Sequence, residues 1–417
     1  MINRLFFLEL NMKAKLFALA CLVAPAAFGA VSETPEEFHG SADVNGDGRP
    51  DIVVVDKLTG IYRLAYGQAS GTNLWVDGRP SGVENVSGFA AGRVLNITRD
   101  ALLFTSPAAN RINVFDASVV GQAGQPVNVF IDSIGPNRVA ALDIGGSGNT
   151  SHDDIYTPSA DNTASEPYRL TLTRSTGAAF SEVWDTNVTA TVVAVDAVRL
   201  KTNAVNPILA GAIQRTGTNY SFVAQNLSTG LPVNSSIIPT LPPADAYVYA
   251  NFDGTALNQF LFYRAGSSNL LLRPVIEIVP GFFQFGSGAT FTFTKSLREV
   301  LTIPGPADIR LLIIFAGGET AGVYSFNGVT APVLVESFAA APGESFTGAA
   351  AMGNGHFSMF SGANGKSATF QDWKRSGNGY SKGASGDLPA VNALSSAANV
   401  FLFVNKPFVH PLSLIHI

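Results

Sequence analysis

Cysteine is almost missing from this chain: Cys21 is the only one in 417 residues, and it sits in a segment that reads as an export signal. With that segment gone no disulfide can form, so core packing, sheet closure or a metal must hold the fold together. Histidine is also scarce. His39, His152, His356, His410 and His416 show neither H-E-x-x-H nor H-x-H spacing, which argues against a transition-metal centre. No G-x-S-x-G occurs; "GESFT" at 343–347 lacks the last glycine and the helix that should follow. Charged residues make up 14% and the formal charge is −5, with no Lys/Arg cluster, which speaks against nucleic acid or an anionic membrane as partner. Helical periodicity is absent as well, since no long stretch repeats apolar residues at i, i+3, i+4 and i+7. Hydrophobic residues, by contrast, reach 46%, ample for a core and incompatible with a disordered chain.

The one long apolar run, "LFALACLVAPAAFGA" at 16–30, is too short to span a bilayer and ends in small residues. A start at Met12 would place Lys13 and Lys15 as its basic n-region. Residues 1–30 are therefore read as a signal peptide cleaved near Gly29 or Ala30, and the mature protein as secreted, extracellular or periplasmic. Cleavage removes Arg4, Lys13, Lys15 and Glu9 and takes the net charge from −5 to −7. Ala18 and Leu19 fit a lipobox poorly, so Cys21 is assigned to the signal rather than to a lipid anchor. Seven N-x-S/T sequons, at Asn85, Asn96, Asn149, Asn187, Asn219, Asn226 and Asn234, are what chance gives in a chain rich in Asn, Ser and Thr. The last residues, "LSLIHI" at 412–417, read like a translated sequencing adapter, so the natural chain is expected to be cut near Pro411.

Short aliphatic or aromatic runs recur through the rest of the chain. They begin at Ile52, Leu102, Ile155, Ile208, Phe260, Leu312, Phe357 and Phe401, at spacings of 50, 53, 53, 52, 52, 45 and 44 residues. Most are followed by a turn and a second run, as "KLTG" leads to "IYRLAYG" and "AGGETA" to "GVYSF"; "NLWV" at 73–76 supplies an outer strand. Four strands in each unit of about 45–53 residues is the arithmetic of a propeller blade. A two-sheet sandwich would not need the periodicity, and a solenoid would want shorter repeats. The expected fold is all-β: a β-propeller over residues 31–410 with seven recognisable four-stranded blades and a partial eighth. A ring cut within that eighth unit is expected to stay open.

Residues 43–55, "DVNGDGRPDIVVV", alternate oxygen-bearing side chains and then turn aliphatic. Asp43, Asn45, Asp47 and Asp51 with the Arg49 carbonyl offer a hard oxygen set suited to calcium, and Gly46 and Gly48 allow the sharp turn around it. An EF-hand would need Glu where Val54 stands and a helix where Pro50 opposes one, so the loop leads into a strand. The bland alternative is a metal-free Asx-rich turn.

The stretch "ADVNGDGRPDIVVVDKLTGIYRLAYG" resembles the FG-GAP/VCBS repeat of integrin α-chain propellers and many secreted bacterial proteins. The resemblance is dense over 38–67 and carried mainly by spacing over 87–405. It implies a calcium-binding loop between the inner strand and the next, a single structural Ca2+, and a role in binding or adhesion. Other units keep less of the loop. "DIGGSGNTSHDDIY" retains Asp143 and Asp154 around an enlarged loop, and 351–360 keeps only Gly and Asn character. "ANFDGTALNQFLFY" retains Asn251, Asp253 and Gly254, with Tyr249 and Leu257 where carboxylates are expected.

Two classes of function follow. One is a calcium-stabilised binding or adhesion module for an extracellular protein or glycan, monomeric when complete. The other is a carbohydrate-active enzyme (lyase or hydrolase) or lectin on the same ring, its carboxylates gathered from several blades at the axis and Trp75, Trp184 or Trp373 stacking on sugar. No motif in the sequence supports the second. His39 is read as an inner-strand or rim residue, and the three tryptophans as packing between blades.

Overall fold

The computed structural model describes residues 31–391 apart from 69–71, 107–110, 119–124, 128–132, 137, 143–150, 162–167, 203–207, 234–237 and 281. The expected signal segment, the run at Phe401 and the 412–417 tail lie outside the described residues.

Seven antiparallel sheets follow one another along the chain. Blade I holds β1 (Ser32–Glu33), β2 (Glu37–Ala42), β3 (Asp51–Asp56), β4 (Ile61–Gly67) and β5 (Asn73–Pro80); blade II holds β6 (Gly88–Gly92), β7 (Ala101–Ser106), β8 (Arg111–Phe115) and β9 (Gln125–Val127). In blade III, β10 (Ser133–Pro136) and β11 (Ala140–Leu142) share the inner edge of β12 (Asp154–Asp161), with β13 (Tyr168–Ser175) and β14 (Phe180–Val188) outside. Blade IV is β15 (Thr191–Val198), β16 (Leu209–Thr216), β17 (Asn219–Asn226) and β18 (Ile238–Leu241). Blade V is β19 (Ala246–Ala250), β20 (Gln259–Tyr263), β21 (Asn269–Val279), β22 (Phe282–Phe285) and β23 (Thr290–Thr292), the last two sharing β21. Blade VI is β24 (Leu297–Pro304), β25 (Ile309–Phe315), β26 (Thr320–Ser325) and β27 (Val333–Ala339); blade VII is β28 (Ser345–Gly353), β29 (His356–Gly362), β30 (Thr369–Ser376) and β31 (Gly379–Asp387).

The recurring apolar runs are the second strands of these blades: β3, β7, β12, β16, β20, β25 and β29. They read as continuous rather than alternating because both faces of each blade are covered by a neighbour. On β3, Val53 and Val55 pack with Phe89, Leu102 and Phe104 of blade II. Ile52 and Val54, pointing the other way, pack with Ala350, Phe360 and Phe370 of blade VII. The same division recurs at every blade, so the core is a set of wedges between neighbours.

Blade VII packs directly on blade I, so the ring closes with seven blades. The expectation of an open ring awaiting an eighth blade is thus corrected. Among the described residues closure uses side chains and wedge packing, with no sheet built from two distant stretches. At this junction Ser41 Oγ donates to the Ala351 carbonyl at 2.6 Å, Lys366 Nζ pairs with Asp56 at 2.7 Å, and Asn73 Nδ2 donates to Asp372 at 3.0 Å. The polar stretch ahead of β2 supplies β1. It lies along β2 in register Ser32↔His39 and reaches blades VI and VII at the axis.

A backbone tie repeats between blades. The residue before a second strand donates its N–H to a carbonyl at or just past the end of the preceding blade's inner strand. Asp100 bonds Asp43 at 2.8 Å, Asp153 bonds Arg93 at 3.1 Å, Asn258 bonds Leu200 at 3.0 Å and Gly355 bonds Pro304 at 2.7 Å. These four ties hold the loops they join on one face of the ring.

Candidate functional site

The acidic loop joins β2 to β3 on that face. Gly46 and Gly48 take φ of 76° and 78°, the left-handed turn that lets alternate side chains fold inward. Asp43 accepts from the amides of Gly46 at 2.8 Å, Asp47 at 3.0 Å and Gly48 at 2.9 Å. Asn45 Oδ1 accepts from the Asp47 amide at 2.9 Å, and Asp47 pairs with the Arg49 guanidinium. Asp51 is fully buried at the start of β3, accepting from Val44 N at 3.0 Å and Gly67 N at 2.9 Å. Burial, helped by the charges of Asp43 and Asp47, pushes the Asp51 carboxyl up to about 7. Burial also raises Asp43.

The loop's donors are the hard oxygens calcium prefers, and like charges crowd Asp51. Those oxygens accept from the loop's own amides and, at Asp51, from the Gly67 amide at the end of β4. Among the described residues no three His, Cys, Asp or Glu side chains converge as a metal-binding group. Sequence reasoning missed one carboxylate here. Asp100, from blade II, receives the Asp43 amide at 2.8 Å, so this loop is shared between two blades.

Blade V repeats the architecture with neutral chemistry. Gln259 opens β20 as Asp51 opens β3, and its Oε1 accepts from Phe252 N at 2.7 Å as Asp51 accepts from Val44 N. Asn251, not Tyr249, is therefore the counterpart of Asp43, and Gln259, not Leu257, that of Asp51. The alignment expected from sequence is corrected by two residues. In blade III, Asp143 lies outside the described residues, while Asp154 is buried and pairs with Arg174 at 3.3 Å.

A second polar cluster sits at the junction of blades I and VII. Glu37 bonds Arg63 at 2.5 Å, the Ser367 amide at 2.7 Å and the Ser367 hydroxyl at 2.5 Å; His39 Nε2 lies 2.8 Å from that hydroxyl and Thr347 Oγ1 2.6 Å. The residue types are those of a Ser–His–acid triad, but the arrangement is not. Ser367 gives its proton to Glu37, so His39 Nε2 carries a proton and donates to Ser367, and His39 Nδ1 has no partner. His39 is fully buried and stacks on Phe360 at 5.0 Å. Burial pushes the imidazole down, favouring its neutral form. Burial alone would raise Glu37; the hydrogen bonds and the Arg63 charge prevail and hold it low. The cluster is a brace across the seam. His152 lies half-buried in the loop before β12, His356 Nδ1 accepts from Arg375 N at 2.8 Å, and His410 and His416 lie outside the described residues.

The tryptophans pack between blades. Trp75 lies against Phe360 and Phe370 of blade VII, Trp184 donates to the Leu227 carbonyl of blade IV at 2.9 Å, and Trp373 lies against Phe338 of blade VI at 4.5 Å. Exposed large apolar side chains are instead aliphatic, with Phe282 the exception. Leu74, Ile97, Leu231, Ile278, Val279, Phe282, Val329, Val333 and Leu334 all sit at loops or strand ends on the face of the acidic loop; Leu58 sits on the other.

No family model matches the chain, and no curated protein does. Among solved structures it is similar to the β-propeller domain of Cps50 (Swd1) from Myceliophteria thermophila, with TM-score 0.52 and 9% identity over 84% of this chain and 100% of that one. It is also similar to BBS1N, solved in complex with ARL6DN, with TM-score 0.50 and 11% identity over 88% of this chain and 95% of that one. At such identities the likeness defines a fold: the chain is a seven-bladed β-propeller. Among the described residues no helix is long and apolar enough to cross a membrane.

Proposed function

We propose that this propeller is an exported, calcium-stabilised binding module of the FG-GAP/VCBS type, taking a protein ligand on the face that carries the acidic loop. The observation that carries this reading is the apolar face itself. Its aliphatic side chains suit the apolar centre of a protein interface, whereas sugar recognition would call for exposed aromatic platforms. The similar propeller BBS1N, solved with ARL6DN, is an example of such a ring beside a protein partner. Calcium in the 43–51 loop would neutralise the crowded carboxylates and fix the β2–β3 connection. Asp43, Asn45, Asp47, Asp51 and the Arg49 carbonyl would hold it, with Asp100 behind Asp43.

The test is an array of extracellular proteins and glycans, probed with and without calcium by the parent and by Phe282→Asp and Val333→Asp. Protein ligands should be retained and lost in both variants. Glycan retention that survives both substitutions would overturn the choice of ligand. Chelation should lower the Tm by several degrees, and Asp47→Ala should abolish that sensitivity. A calcium titration without heat or thermal shift would remove the metal from the reading.

A further inference from the structure

Blades IV and V meet at the axis through their inner strands, β15 and β19. On β15, Val195 and Ala197 turn toward blade III, while Ala194 and Val198 turn toward blade V. By alternation Asp196 also faces blade V. On β19, Tyr247 and Tyr249 turn back toward blade IV, and Ala246, Val248 and Ala250 turn toward blade VI. One carboxylate thus faces two tyrosines across a blade junction.

The glycine opposite Asp196 on β16 locates the Tyr247 hydroxyl. A Cβ on Gly211, the register partner of Asp196, would lie 2.8 Å from the Tyr247 hydroxyl, so that hydroxyl hangs over the Asp196–Gly211 pair. Asp196 accepts one hydrogen bond, from the Ala197 amide at 2.7 Å, and has no ion pair among the described residues. Tyr247 is 9% exposed and its hydroxyl has no hydrogen-bond partner among the described residues. Tyr249 stacks on Phe260 at 5.0 Å and completes an aromatic wall. Solvent reaches this side of the axis, since 193–197 are all half-buried, whereas β2, covered by β1, is buried throughout.

We propose that Asp196, Tyr247 and Tyr249 form a site for a small alkylammonium ion on the axial wall between blades IV and V. An ammonium has three N–H donors to give the carboxylate and the Tyr247 oxygen, and its positive charge is attracted to the ring faces. Four side-chain oxygens, two from Asp196 and one from each tyrosine, are too few for calcium, which takes six to eight. Burial pushes the Asp196 carboxyl up to about 7 and raises both tyrosines, and the Asp196 charge adds to the rise of each. The other ionisable groups facing the site are Tyr156, which acts on Tyr247, and Arg199, just past β15, which acts on Tyr249.

Butylammonium titrated into the full chain at pH 8, followed by calorimetry and NMR, tests this against 1-butanol as the neutral isostere. Saturable binding is expected, weakened by about tenfold or more in Asp196→Asn and by roughly threefold in Tyr247→Phe, and not competed by butanol. Absence of saturation in the parent, equal binding by Asp196→Asn, or equal competition by butanol would each overturn the proposal. Asp196→Ser is a second removal of the charge should the asparagine variant fold poorly. Loss of calcium sensitivity or of the protein ligand leaves this test unaffected, because it reads neither.

Discussion

Glu299 is a residue that no local pattern in the sequence marks. It lies on β24 facing the axis, 5% exposed, and accepts from Ser32 Oγ at 2.7 Å and from the Glu33 amide at 3.1 Å. Burial pushes its carboxyl up to about 7, even with Arg298 nearby. A carboxyl whose folded value lies above its unfolded one favours folding fully below about pH 4.5, and that contribution is lost as pH rises through 7. The parent should therefore lose stability between pH 5 and 8. In Glu299→Gln that decline should shrink by no more than about 3 kcal/mol, read from urea midpoints across the range. Identical pH profiles would show Glu299 to be unimportant. Residues of this kind explain how the site was legible only in part. Asp43, Asn45, Asp47 and Asp51 could be read because they lie within nine positions of one another. Asp100, Glu299 and Asp196 could not, since each acquires its role from a residue on another strand or blade.

Turns and strands show a similar division. The second strand of every described blade was visible as an apolar run, because double-sided burial removes the polar alternation that usually masks a strand edge. Outer strands such as β14, with its exposed Ser181 and Glu182, gave a weaker signal, and β1 gave none, since it pairs on one edge at the axis. Blade V misled by two residues because Gln259 hydrogen-bonds as Asp51 does without resembling it in charge. The β3–β4 turn provides a prediction at this scale. Gly60 has φ of 67°, and a Cβ there would lie 1.7 Å from the Val83 carbonyl oxygen, a backbone atom with no freedom to give way. Gly60→Ala should cost roughly 2–4 kcal/mol, combining left-handed strain with overpacking. Gly48→Ala, with open space around its added Cβ, should cost only about 1 kcal/mol. Equal melting curves for the two variants would contradict this reading of the turn.

For the molecule as a whole, the weak point is the seam between blades VII and I. Arg63 is 2% exposed and bridges Glu37 and the Ser367 carbonyl, the latter at 2.9 Å. Arg63→Met should cost about 3–5 kcal/mol by leaving Glu37 buried without its cation, and adding Glu37→Gln should restore part of the loss. Strictly additive losses would mean the pair does not act as a unit. The location of these contacts has a kinetic consequence. Within each sheet, and between successive blades, partners are near in sequence, whereas the pairs His39–Ser367, Ser41–Ala351 and Lys366–Asp56 span 328, 310 and 310 residues. Contact order is therefore low within blades and between successive ones, and high where blade I meets blade VII and where β1 reaches blade VI. Six of the junctions can assemble in sequence while the chain is being synthesised, each new blade settling on the one before it. The seventh must wait until blade VII exists, so until that moment the nascent molecule is an open arc with two bare apolar flanks, Ile52 and Val54 of blade I at one end and Leu312 and Ile314 of blade VI at the other.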